Sequence, residues 1–141
     1  MTLHDELIND PLDIGYAELS DTLCADSLNA QNRVVVGSVS RPDFVIWAAL
    51  GPRSVIEDTA LNTQSPFRSS ALALRDFVSG NSDSLDLSNA NVRALLGAWT
   101  TSGLITQAQE DALITLATKT ISRAEELGLG FVHASQVRDA R

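Results

Sequence analysis

The 141 residues are 44% hydrophobic and 20% charged, ordinary globular usage that argues against a wholly disordered or fibrous chain. That length suits one domain able to bury roughly two-thirds of its unfolded surface. The net charge of -8 is concentrated at the front, where Asp5, Glu6, Asp10, Asp13, Glu18, Asp21 and Asp26 all precede the first basic residue, Arg33; this disfavours nucleic acid as a partner, because phosphate binding runs on Lys and Arg.

In chain order, "TLHDELIN" and "SDTLCADSLN" predict short helices capped by Thr2 and Ser20, with the turn "DPLDIGYAEL" between them. "RVVVGSV", residues 33 to 39, is the β-branched run, read as one short extended segment, either a connector or a strand pairing near Gly130 to Val132. Ser40-Arg41-Pro42-Asp43 opens a buried helix with a cap serine, a proline in the first turn and an acid at the capping-box position, and Gly51 stops it. Pro52 restarts the chain as "PRSVIEDTALN".

Ser65-Pro66 opens a helix in which Phe67, Ala71, Leu74 and Val78 make one apolar face before Gly80. "NSDSLDLSN" reads as a polar loop whose Ser88 caps the next helix, striped by Val92, Leu95, Leu96 and Trp99. Gly97 weakens that helix, which points to close packing of a neighbour there. Thr106 and Gln109 form a T-x-x-Q capping box for a long central helix through Leu113, Leu116, Ala117, Ile121, Ala124 and Leu127. Gly128 then reads as a left-handed helix stop with Leu129 folding back, since a phosphate-cradling glycine loop precedes a helix rather than following one. The expected architecture is all-α: a compact single domain over 1-141 of six or seven helices, with an acidic segment 1-32, a helical core 40-127, and a turn and short last helix over 128-141.

Chemistry-bearing residues are few. No apolar run approaches the ~20 residues of a membrane span, and "MTLHDELIND" lacks the basic start and apolar middle of a signal peptide, so no membrane partner is expected. His4, His133 and Cys24 fall in no metal-ligand pair, Cys24 reads as a buried thiol, His4 as a surface residue and His133 as a partly buried or capping one. The adjacent carboxylates Glu125 and Glu126 diverge by roughly 100 degrees around a helix and share a substrate proton poorly. No catalytic residue, metal or cofactor is expected, and no enzyme. Arg123, Arg138 and Arg141 could form a basic patch paired with Glu125 and Glu126, or could receive an acidic segment from a neighbouring copy or from the chain's own N-terminal stretch.

Two blocks together resemble a family. "NDPLDIGYAELSDTLCADSLN", residues 9 to 29, and "TISRAEELGLGFVHASQVRDAR", residues 120 to 141, resemble the D-P-L-x-x-G-Y-A-x-[LM]-[ST]-D and S-R-A-x-E-L-G-L-G-x-V-x-x-x-x-V-x-x-A-R blocks of small, mostly uncharacterised proteins of tailed bacteriophages. The middle matches in helical character alone. Asp10, Pro11, Leu12, Gly15, Tyr16 and Ala17 carry the first block, and Arg123, Glu126, Leu127, Gly128, Leu129, Gly130, Arg138 and Arg141 the second. The resemblance implies a phage origin and a non-enzymatic structural or assembly role in the tail or head-to-tail region. The expected partners are then other phage structural proteins or copies of the chain, located in the virion and, before assembly, in the host cytoplasm. The matched residues become a shared structural or docking motif. The alternative reading is an intracellular inhibitor that binds a host or defence protein through the acidic segment.

Overall fold

The computed structural model describes residues 1 to 80 and 83 to 141. Among them are nine α-helices and four short strands: α1 Leu3–Asn9, a 3-10 turn Tyr16–Glu18, α2 Asp21–Asn29, β1 Arg33–Val36, β2 Ser38–Ser40, α3 Arg41–Ala49, α4 Pro52–Leu61, α5 Arg68–Ser79, β3 Ser84–Asp86, α6 Ala90–Thr101, α7 Gln107–Ala117, β4 Thr118–Ile121, α8 Arg123–Glu126 and α9 Ala134–Ala140. The protein is therefore mainly α, not purely all-α: β1 pairs with β4 and β2 with β3 in two small sheets.

The caps fall where side-chain chemistry places them. Thr2, Ser20, Ser40 and Thr106 each accept a hydrogen bond from the backbone N–H three residues on. The helix that carries Trp99, α6, is capped by Asn89, not Ser88, because the Asn89 carboxamide oxygen accepts from the N–H groups of both Asn91 and Val92. The polar loop before it contains β3, which pairs antiparallel with β2 in the register Ser38↔Asp86, Val39↔Leu85, Ser40↔Ser84; Asn81 and Ser82 of that loop lie outside the described residues.

The long helix expected over 106-127 does not form. Its apolar spacing continues past Ala117, but Thr118, Thr120 and Ile121 are β-branched and take strand geometry as β4. Ser122 then recaps the chain, accepting from the Glu125 N–H while Glu125 accepts from the Ser122 N–H. The extended segment at 33-39 also divides, at Gly37, whose N–H donates to the Ala117 carbonyl and whose carbonyl accepts from the Leu87 N–H. Its partners are β3 and β4, not the Gly130 to Val132 stretch.

Contacts divide the chain into two compact units, Met1–Val35 with Thr120–Arg141, and Val36–Lys119, where the sequence reading has one domain with a core over 40-127. The first unit closes over Leu7, Tyr16, Cys24, Ala25, Leu28, Ala124, Val132 and Val137. The second is built on Val39, Phe44, Trp47, Ile56, Ala71, Leu87, Trp99, Ile105 and Leu113. Here Phe44 meets Trp47 and Phe77 at centroid distances of 5.2 and 5.1 Å, and the indole N–H groups of Trp47 and Trp99 donate to the Gln109 carbonyl and the Ser70 hydroxyl. Burying those N–H groups unpaired would cost on the order of 1–3 kcal/mol each.

Candidate functional site

The two sequence blocks, residues 9 to 29 and 120 to 141, lie in the first unit, and their residues meet there. Asp10 ends α1 in the left-handed conformation (φ 38°), and its carboxylate accepts from the N–H groups of Ile14, Gly15 and Tyr16 at 2.8, 2.6 and 3.3 Å. Partial burial pushes the Asp10 carboxyl up, but the three donors together outweigh it and hold it below the ordinary aspartate value. Gly15, at φ +83°, turns the loop inward. Tyr16 is thereby delivered into the core at 1% exposure. Pro11 is exposed and Leu12 half-buried in the same loop.

Beside Tyr16 lies a buried ion pair. Glu6 is fully buried, and Arg123 grips it with two bonds, Nε to Oε1 at 2.8 Å and Nη2 to Oε2 at 2.7 Å. The Tyr16 hydroxyl donates to Glu6 at 3.5 Å. Burial, then the Glu6 charge, pushes the Tyr16 phenol up to about 12. The third guanidinium nitrogen of Arg123 bonds Glu126 at 3.0 Å, and Glu126 also receives Arg33 at 3.0 Å. Bonding to Arg33, then to Arg123, holds the Glu126 carboxyl below its usual range.

A second clasp stands at Arg141. Its Nη1 bonds Asp21 at 2.7 Å, and its Nη2 donates to the carbonyls of Tyr16 and Leu19 at 2.7 and 2.5 Å, beside the Cys24 thiol at 3.0 Å. Cys24 is fully buried, and that burial pushes its thiol up. Of the arginines read as a patch, Arg123 and Arg141 thus turn inward onto the chain's own acidic segment. Arg138 does not join them: it is 69% exposed, 3.7 Å from its neighbour Asp139.

Gly128 (φ +71°) ends α8 in the left-handed stop read from the sequence, with its N–H on the Glu125 carbonyl and the Leu129 N–H reaching back to Ala124, both at 2.9 Å. Gly130 (φ +65°) makes a second turn, which presents Phe131 at 68% exposure and seats Val132 in the core. His133 is exposed at the N-cap of α9, where Gln136 accepts from its N–H, and exposed His4 bonds the Ala140 carbonyl. Glu6, Arg33 and Asp21 are the partners that the sequence reading did not single out. One signal for Glu6 was present: it falls on the helical face of Leu3 and Leu7.

Leu12, Tyr16, Ser27, Asn32, Arg33 and Arg123 line a cleft of about 190 Å³ in this unit. Both of its guanidiniums are ion-paired, so it offers no uncompensated positive charge to an anion. Among the described residues no group of three His, Cys, Asp or Glu is placed to hold a metal ion. Comparison with protein-family models, curated proteins and solved structures gives no match.

The second unit holds a different feature. The stripe read on α6 is incompletely covered: Trp99 is buried, but Val92 and Leu96 are half-buried and Leu95 is 40% exposed. Facing it across a cavity of about 220 Å³ are Ser70, Ala73, Leu74 and Phe77 of α5, with Phe44, Trp47 and Leu113 behind.

Proposed function

We propose that this chain is a non-enzymatic structural or assembly protein of a tailed bacteriophage, working in the tail or head-to-tail region through contacts with other virion proteins or with its own copies. The reading rests on the two-block resemblance, and one observation carries it further: both blocks fold into one unit, where Glu6, Tyr16, Arg123 and Glu126 bond one another. Asp10, Arg123, Glu126 and Arg141 of the blocks hold backbone and charge in place, while Arg138 stays exposed. They behave as a scaffold signature.

The rival reading, an inhibitor docking through its acidic segment, draws on seven acids, but four of them are engaged within the chain: Asp5 in the Thr2 capping box, Glu6 on Arg123, Asp10 in its loop and Asp21 on Arg141. Asp13, Glu18 and Asp26 remain exposed. Mass spectrometry of purified virions tests the first reading, with the chain expected at a fixed copy number per particle. Its absence from the particle, together with salt-sensitive capture of a host protein that Lys at positions 13, 18 and 26 abolishes, would replace that reading with the second.

A further inference from the structure

We infer that the cavity between α5 and α6 is a binding pocket for a small, uncharged, apolar molecule of bicyclic-aromatic or short acyl-chain size. Phe44, Trp47, Phe77, Leu96, Trp99 and Leu113 supply its inner wall, and Ala73 and Leu95, both at exposed positions, lie at its mouth.

The lining fixes the chemistry of the ligand. Three groups that could have offered a polar handle are already engaged: the Trp47 indole N–H on Gln109, the Trp99 indole N–H on Ser70, and the Ser70 hydroxyl, which itself donates to the Phe67 carbonyl. A charged or strongly hydrogen-bonding ligand would lose its water and find no partner there. An apolar ligand loses only hydrocarbon hydration and gains dispersion contacts with four aromatic rings. Size follows from volume: an apolar cavity of about 150 Å³ takes up benzene, so 220 Å³ matches a ligand about half as large again. The pocket lies within the second unit, so its ligand does not depend on the scaffold role of the two blocks.

The test is titration of the full chain with naphthalene, followed by the emission of Trp47 and Trp99, both on the pocket wall. Saturable 1:1 binding is expected, with naphthalene-1,5-disulfonate at least tenfold weaker because its charges lie at opposite ends and one of them must enter the pocket, where it meets no donor. Ala73→Phe, which fills the mouth from an exposed helix position, should weaken naphthalene at least tenfold while the far-UV circular dichroism spectrum is kept. Leu95→Trp tests the opposite lip should the first variant lose helix. Absence of saturable binding, equal affinity for naphthalene-1,5-disulfonate, or naphthalene binding that survives both variants overturns the inference. So does self-association that Ala73→Phe abolishes in a chain that takes up no naphthalene, since protein side chains would then be the occupant.

Discussion

Removing the Arg123 side chain is the severest test of the buried clasp. Glu6 has no exposed surface, and Arg123 provides both of its short bonds, so Arg123→Met leaves a buried carboxylate with only the long contact from Tyr16. Breaking a buried pair from one side costs about 3–5 kcal/mol. A unit the size of Met1–Val35 plus Thr120–Arg141 carries only about 3–9 kcal/mol of stability at ~0.05–0.15 kcal/mol per residue, so the variant should lose a large part of it. Glu6→Gln keeps shape and one acceptor, and Arg123 keeps Glu126, so its cost should be about 1–2 kcal/mol. Replacing both, Glu6→Leu with Arg123→Met, removes both desolvated charges and should return to within about 2 kcal/mol of the parent, giving a coupling of at least ~2 kcal/mol.

Both tryptophans lie in the other unit, so their emission is a poor reporter here. Amide hydrogen exchange of α1, α2 and α9, with urea melts followed by circular dichroism, measures the affected unit directly. If Arg123→Met lowered the exchange free energy of these helices by less than about 1 kcal/mol, the claim that this pair holds the unit together would be refuted.

Four further outcomes are expected. Gly97→Ala should raise the urea midpoint, by about 0.5–1 kcal/mol, because a Cβ there meets nothing within 4 Å, contrary to the close packing read from the sequence. Gly128→Ala should lower it by about 1 kcal/mol, since φ +71° is a left-handed position, and Gly128→Asn should lower it less. Tyr16, the lone tyrosine, should ionise near 12 by tyrosinate absorbance; because the folded value lies above the unfolded one, its contribution is complete below pH ~10 and is lost as pH rises through the folded value. Arg141→Ala should release the Tyr16 and Leu19 carbonyls at a cost of about 1 kcal/mol and speed labelling of Cys24 by a thiol reagent several-fold.

What the sequence made legible was local. A cap needs one hydroxyl or carboxamide and three neighbouring N–H groups, so Thr2, Ser20, Ser40 and Thr106 could be read from spacing, as could the Gly128 stop. Apolar spacing was less reliable where β-branching opposed it: Leu113 to Leu127 keeps helical period, yet Thr118 to Ile121 pairs as a strand and Ser122 begins again. Gly97 of α6 misled in another way: a glycine inside a helix was read as a contact, and a Cβ there meets nothing within 4 Å. Least legible was the clasp itself. Glu6 and Arg123 are 117 residues apart, and although Glu6 shares the helical face of Leu3 and Leu7, nothing local names its partner. Terminal arginines meeting the chain's own acidic segment was one of the alternatives the sequence allowed, and tertiary contact selected it.

The division of labour between the units follows from where each kind of side chain ended up. Residues 9 to 29 and 120 to 141, the two blocks, supply caps, left-handed turns and, in Arg123, the cationic half of the buried pair with Glu6, all of which restrict geometry. Val36–Lys119 packs helices around aromatic and aliphatic side chains, where substitutions of similar volume are tolerated far better. A pocket in that second unit can therefore change shape by a methyl group at Ala73 or Leu96 without touching the clasp.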